Sequence, residues 1–194
     1  MIGLGSRDGF LVKKKHKKSI FCYANEFSTS IFLIKLFTFY KIMKTVTYTL
    51  HISASPATVF AKFVNELNEW WPKAYTWSQD QLQEIRIDGQ KDGLCTEIGP
   101  YGFRCDWGRV TEIIPYKSIG LKWQISPKRE PIPDPAKASD IKVSFEQEGD
   151  ATKVNFEHYN FELHGDEADN YREMMGSEYG WPYILNCLKT YCEK

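Results

Sequence analysis

Residues 103–125 read FRCDWGRVTEIIPYKSIGLKWQI, and this stretch decides the fold. On both sides of Pro115, apolar residues alternate with polar or small ones, a pattern that is typical of half-buried β-strands. The apolar series are Phe103, Cys105 and Trp107 before the proline, and Ile119, Leu121, Trp123 and Ile125 after it. The residues from Arg109 to Pro115 extend or bulge the first strand. The stretch predicts two neighbouring strands of an antiparallel sheet.

The same alternation continues on either side of this stretch. The alternating positions that predict further strands are Val46, Tyr48, Leu50 and Ile52; Ile85 and Ile87; Leu94, Thr96 and Ile98; Ile141, Val143 and Phe145; and Val154, Phe156 and His158. Turn signals such as Asp88-Gly89 and Glu148-Gly149-Asp150 separate these series. We therefore predict a curved antiparallel sheet of about six or seven strands.

Two segments between the strands are predicted to leave the sheet. Ser55 before Pro56 is typical of a helix N-cap with proline at the first helical position, and apolar residues at helical spacing extend a short helix to about Asn68. The segment from Pro127 to Ala138 is rich in proline and cannot join a sheet interior. We expect it to be a long surface loop that overhangs another part of the domain.

A long helix is predicted at the C-terminus. Asp166 is expected to cap it, and an apolar stripe follows from Met174 to Cys192. Pro182 lacks a backbone donor, so a kink or restart is expected near Gly180. The predicted fold class is α+β, with one sheet wrapped around this helix and a short helix after the first strand.

The charge distribution bears on possible partners. Eight of the 25 basic residues and two of the 25 acidic residues lie in residues 1–42, so residues 43–194 carry 17 basic and 23 acidic residues, a net charge of −6. Nucleic acid binding depends largely on Lys and Arg side chains that neutralise phosphates. We therefore predict one acidic domain, residues 43–194, that binds no nucleic acid.

Residues 1–42 differ from the rest in composition. A basic run from Lys13 to Lys18 precedes an apolar stretch, residues 31–40, which is shorter than the roughly 20 residues that span a bilayer. We predict no membrane anchor. We interpret residues 1–42 as a leader that is disordered or is translated upstream sequence, with Met43 as the natural start. A loosely helical extension and an export signal are the alternatives.

The cysteines and the known motifs point to neither metal nor cofactor. The cysteines are Cys22, Cys95, Cys105, Cys187 and Cys192, an odd number without a C-x-x-C pair. No phosphate-binding loop, dinucleotide glycine pattern or zinc-protease motif is present. We expect free thiols in a reducing cytoplasm and no cofactor.

The order of elements and several motifs resemble the START-like (SRPBCC) superfamily and, within it, the family named for the C-terminal domain of the Hsp90 ATPase activator. The motifs are Ser55-Pro56-Ala57-Thr58-Val59-Phe60, Trp70-Trp71-Pro72, Trp107-Gly108-Arg109-Val110-Thr111-Glu112-Ile113, Ile119-Gly120-Leu121-Lys122-Trp123 and Gly180-Trp181. The resemblance covers residues 43–194. It implies a helix-grip fold, often with an apolar cavity between sheet and helix, but not one reaction.

Large side chains on the inner face are expected to border such a cavity. The candidate ligand-binding residues are Trp71, Phe103, Trp107, Trp123, Phe156, His158, Met174, Met175, Glu178 and Trp181. His158 is also the candidate for a catalytic proton acceptor, because it is the titratable side chain predicted on the inner face. The alternatives are plain core packing of the rings, a hydrogen-bonded core histidine, and a Glu178 that reaches solvent.

Three functions stay open at this point. The first is a binding protein for a small hydrophobic or aromatic molecule. The second is a protein-interaction module, which the resemblance links to a chaperone, although the separate N-terminal domain of true Hsp90 activators is missing. The third is a cyclase- or hydrolase-like enzyme centred on His158. A monomer and a homodimer are equally compatible with the sequence.

Overall fold

The sheet is built from hairpins that follow one another along the chain. The computed structural model describes residues 44–194, and the predictions about residues 1–42 lie outside the described residues. The strands are β1 (Val46–Ile52), β2 (Glu84–Ile87), β3 (Leu94–Ile98), β4 (Arg104–Ile114), β5 (Ser118–Trp123), β6 (Ser139–Glu148) and β7 (Ala151–Tyr159). They form one antiparallel sheet in the order β1-β7-β6-β5-β4-β3-β2. The predicted sheet is therefore confirmed.

The stretch that decides the fold supplies the hairpin β4–β5. Trp123 is the register partner of Gly108, Leu121 is that of Val110, and a bulge follows Val110. The chain reverses just after Pro115, where Tyr116 adopts a positive φ of 64°. Cys105, Trp107 and Val110 of β4 are buried, as are Ile119, Leu121 and Trp123 of β5. One face of this hairpin consequently belongs to the core, as the alternation predicted.

The inner face of β3 differs from the prediction. Leu94, Thr96 and Ile98 were expected to face the core, but the strand pairs Ile87 with Cys95 and Ile85 with Glu97. Residues directly opposite each other in an antiparallel pair share a face. Cys95 and Glu97 therefore point inward with the two isoleucines, and a carboxylate lies on the inner face of the sheet.

Helices cover the inner face of the sheet. They are α1 (Pro56–Asn65), α2 (Leu67–Trp70), α3 (Ala168–Gly176) and α4 (Trp181–Cys192). Ser55 caps α1 as predicted, because its Oγ accepts a hydrogen bond from the backbone N–H of Thr58 at 3.2 Å. No helix among residues 44–194 has the length and apolar character that crossing a membrane requires.

The C-terminal helix is interrupted where the sequence predicted a restart. Residues 177–180 separate α3 from α4, and Pro182 lies in the first turn of α4, where a missing N–H costs little. A Cβ at Gly180 would lie 2.2 Å from the carbonyl oxygen of Met175, so only glycine fits. The prediction that Asp166 caps the helix was wrong, because a 3-10 segment, Phe161–Glu167, leads into α3 without a side-chain cap.

Candidate ligand-binding cavity

A cavity of about 630 Å³ lies between the inner face of the sheet and α3. Its walls come from strands β2 to β5, the segment after α2, the loop after β5, and both C-terminal helices with the break between them. The lining residues are Trp71, Tyr75, Trp77, Ile85, Glu97, Trp107, Trp123, Ile125, Pro127, Arg129, Asn170, Tyr171, Glu173, Met174, Met175, Ser177, Tyr179, Gly180 and Ile184. The volume falls within the roughly 300–1,000 Å³ that small-molecule sites occupy.

Three tryptophans form the deep wall of the cavity. The Trp71 ring stacks on that of Trp107 with centroids 6.1 Å apart, and Trp107 meets Trp123 edge to face at 5.7 Å. Such contacts restrain the rings. The indole N–H groups of Trp71 and Trp107 are buried without an acceptor among residues 44–194. An unpaired buried donor costs about 1–3 kcal/mol. Both nitrogens are closed off from the cavity, so the wall presents ring carbons to it.

The third tryptophan is tied to the helix that covers the cavity. Trp123 Nε1 donates a hydrogen bond of 2.8 Å to the hydroxyl of Tyr171 on α3, and that hydroxyl donates to the carbonyl oxygen of Ile125 at 3.1 Å. Burial raises the pKa of Tyr171 to about 12, so the hydroxyl keeps its proton and remains a donor. The bonds hold α3 over the sheet.

A fully buried carboxylate shapes the side of the cavity. Glu97 Oε1 accepts a 2.7 Å hydrogen bond from the backbone N–H of Ser78, and Oε2 accepts a 3.1 Å bond from that of Trp77. These two hydrogen bonds stabilise the Glu97 carboxylate in its buried position beside the cavity. Glu97 therefore fixes the turn that presents the Trp77 ring to the cavity.

Three chain segments meet at the mouth. The Trp77 indole N–H donates to the carbonyl oxygen of Arg129 at 2.9 Å, and Arg129 Nη2 donates to the carbonyl oxygens of Tyr75 and Thr76, each at 3.3 Å. The Tyr75 hydroxyl donates to the carbonyl oxygen of Tyr179 at 2.6 Å. The proline-rich loop thus overhangs the cavity through Pro127 and Arg129.

The structure brings half of the predicted ligand-binding residues to this wall, namely Trp71, Trp107, Trp123, Met174 and Met175. Phe103 lies on the rim of a separate surface groove and is 38% exposed. Phe156 and Trp181 are core residues whose rings pack together at 4.4 Å. Glu178 is exposed in the helix break. Phe156 and Trp181 lie in the predicted strand and helix, whereas Phe103 precedes β4 and Glu178 lies between α3 and α4. None of these four side chains lines the cavity.

His158 is likewise absent from the cavity wall. The Trp181 indole can only donate, and its Nε1 lies 3.0 Å from His158 Nδ1, so the histidine is the neutral tautomer that carries its proton on Nε2. That proton is donated to Ser139 Oγ at 2.7 Å. Burial, aided by the nearby His164, lowers the pKa of His158 well below its usual value. The ring has both nitrogens engaged inside the core.

The cysteines and acids provide no further reactive centre in the described part of the chain. Burial raises the pKa of the Cys105 thiol to about 11 and that of Cys95 further, so both stay protonated. Between residues 44 and 194, no group of three or more His, Cys, Asp or Glu side chains is arranged to hold a metal ion.

The sequence pattern had not indicated Glu97, Arg129 or Tyr171 as wall residues. The sequence does contain a signal for Glu97. It lies two residues after Cys95 in the same strand, so the two side chains share a face. Tyr171 lies within the predicted C-terminal helix, ahead of its apolar stripe. Arg129 lies in an irregular loop, where no periodicity predicts which way a side chain points.

One known protein family matches most of the chain. The model of the family described as "Activator of Hsp90 ATPase homolog 1-like protein" matches residues 53–193. No curated protein matches the chain.

Several solved structures share the architecture. An anthrahydroquino-γ-pyrone synthase solved in a complex is 25% identical, with a TM-score of 0.56, and the match covers 75% of this chain and 95% of the synthase. The self-sacrificing resistance protein CalC from Micromonospora echinospora is 23% identical, with a TM-score of 0.55 and coverage of 76% and 93%. The Aha1 dimer from Colwellia psychrerythraea is 20% identical, with a TM-score of 0.52 and coverage of 77% and 96%. The last two likenesses concern the fold alone.

Proposed function

The chain belongs to the activator of Hsp90 ATPase homolog 1-like family, and we propose that it is a binding protein that holds a small hydrophobic or aromatic molecule between its sheet and its C-terminal helices. The observation that carries this proposal is the cavity of about 630 Å³ walled by aromatic side chains. A filled core would leave no such space, whereas pockets that bind small molecules have this size and lining.

Two further observations support an aromatic ligand. The rings of Trp71, Trp107 and Trp123 offer faces and edges for stacking. The solved synthase that is 25% identical is named for an anthrahydroquino-γ-pyrone. We infer that the ligand is flat and mostly apolar.

The first experiment asks whether a molecule co-purifies. Native mass spectrometry of the chain from Met43 should detect a bound compound, which denaturation and extraction would then identify. In parallel, the purified protein is titrated with the neutral fluorophore N-phenyl-1-naphthylamine. We expect saturable binding at one site per chain.

A matched pair of variants locates that site. Met175→Trp puts a large ring on the cavity wall, and Asp169→Trp puts the same ring on α3 outside the lining. We expect Met175→Trp to weaken fluorophore binding at least tenfold and Asp169→Trp to leave it unchanged. An empty wild-type protein that also fails to bind the fluorophore would overturn the proposed function.

A second candidate function is a protein-interaction module of the chaperone-linked type. It is supported by the family description and by an exposed tyrosine surface at the cavity mouth, made of Tyr75, Tyr179 and Tyr183. The rings of Tyr75 and Tyr183 lie 5.4 Å apart. The test is the ATPase rate of purified Hsp90 with and without the protein; unchanged turnover and separate elution in gel filtration would count against this candidate.

The cellular location and the oligomeric state also belong to the proposal. The cysteines described between residues 44 and 194 are all free thiols, which supports the cytoplasm as the compartment. Light scattering after gel filtration separates the monomer from the homodimer.

The enzyme hypothesis centred on His158 stays a prediction, which turnover of a His158→Ala variant would test.

A further inference from the structure

One cationic side chain lies on the cavity wall. Among the described residues that line the cavity, Arg129 is the only lysine or arginine. It lies at the mouth, on the loop after β5, and its side chain remains exposed to solvent. A guanidinium at this position can contact a ligand whose body occupies the ring-lined interior.

The position of Arg129 is fixed before any ligand arrives. Its φ of 61° places the backbone in the left-handed region, and the Trp77 indole N–H binds its carbonyl oxygen. One guanidinium nitrogen, Nη2, is held by the carbonyl oxygens of Tyr75 and Thr76. In the described chain, its Nε and Nη1 have no acceptor and no carboxylate lies within ion-pair distance. Those donors remain available to a ligand.

The acidic side chains of the wall do not cancel this charge. Glu97 is fully buried and spends both carboxylate oxygens on backbone N–H groups. Glu173 extends into solvent, with 72% of its side chain exposed, and its carboxylate lies 3.9 Å from the guanidinium of Arg172. An exposed carboxylate of this kind is well screened by water and salt.

We propose that Arg129 selects ligands that carry an anionic group, such as a carboxylate, sulfonate or phenolate, next to their hydrophobic or aromatic body. The inference rests on the proposed function, because the body of the ligand must occupy the cavity. The anionic group accepts a hydrogen bond from a free guanidinium nitrogen at the mouth, while the rings of the ligand contact the tryptophan wall. Because Nη2 is already held by two carbonyl oxygens, the contact is a single charge-assisted hydrogen bond, and the preference is electrostatic.

The test uses two fluorophores that share one body. The compounds 8-anilinonaphthalene-1-sulfonate and N-phenyl-1-naphthylamine differ in the sulfonate. Each is titrated into the wild-type chain, an Arg129→Gln variant and a Lys128→Gln control, which removes the same charge from the neighbouring residue outside the lining. Glutamine keeps an N–H donor for the carbonyl oxygens at the mouth.

Arg129→Gln is expected to weaken sulfonate binding about three- to tenfold, the range for a charge-assisted contact that is partly exposed. Binding of the neutral fluorophore should stay within about twofold in both variants, and Lys128→Gln should bind both probes like the wild type. Added salt should weaken wild-type binding of the sulfonate more than that of the neutral probe.

The alternative outcomes separate the two proposals. If Arg129→Gln weakens both fluorophores equally, the arginine only maintains the mouth, and the charge preference is refuted while the binding function stands. If Lys128→Gln matches the effect of Arg129→Gln on the sulfonate, the attraction is diffuse and the preference is again refuted. If the wild-type protein is empty by native mass spectrometry and binds neither fluorophore, the proposed function fails and the inference fails with it.

Discussion

Lowering the pH from about 8 to about 5 should destabilise this protein through His158. The ring is fully buried, and burial together with the neighbouring His164 lowers its pKa well below 6.5. Below pH 6.5 the unfolded chain binds a proton at this residue and the folded chain does not. The free energy of unfolding therefore falls as the pH drops through 6.5, by about 1.4 kcal/mol per pH unit.

This loss accumulates from pH 6.5 down to the lowered pKa of the folded state, and each pH unit removes a sizeable share of the about 5–15 kcal/mol that stabilises a typical domain. Burial also lowers the pKa of the half-buried His164, which acts in the same direction. The assay is urea unfolding followed by tryptophan fluorescence at several pH values. Carboxylates titrate mostly below this range, so the slope reports on histidines.

A pair of glutamine variants isolates the residue responsible. His158→Gln should flatten the dependence of the free energy of unfolding on pH. The variant also lowers the stability at neutral pH, but the readout is the slope against pH and not the stability at one pH. His51→Gln changes an exposed histidine on β1 and should leave the contribution of His158 intact. An unchanged slope in His158→Gln would refute the idea that its neutral state is required by the fold.

Three other substitutions test the local geometry. Gly180→Ala should cost at least about 2 kcal/mol in urea unfolding, because the added Cβ would lie 2.2 Å from a backbone oxygen; full stability would contradict the close approach. Ser55→Ala should cost about 1 kcal/mol by the same assay, since the bond to the Thr58 N–H is lost. Tyr75→Phe removes the bond to the Tyr179 carbonyl and should speed release of N-phenyl-1-naphthylamine severalfold in stopped-flow, with less than about 1 kcal/mol lost in unfolding.

The strands and breaks were predictable because their causes are local. Alternation around Pro115 predicted β4 and β5, and Ser55 before Pro56 predicted the start of α1. The proline at position 182 predicted the restart of the C-terminal helix. Each of these signals acts through the backbone of a few adjacent residues, so it can be recognised without knowing what packs against them.

The candidate site was only partly predictable. Trp71, Trp107 and Trp123 line the cavity as proposed from their size and inward direction. Phe156 and Trp181 have the same chemistry but fill the core, since which ring borders a space depends on how sheet and helices meet. Alternation says that a side chain faces inward, and it does not say whether another side chain already occupies that place.

The sequence by itself determined the strand order along the chain, the helix boundaries near prolines, and the family to which residues 53–193 belong. Only the tertiary structure decided that Glu97 is buried against the Trp77 turn and that Arg129 stands at the cavity mouth. The physical reason is that backbone conformation follows from neighbouring residues, whereas a cavity and its charges arise where distant segments fail to fill the space between them.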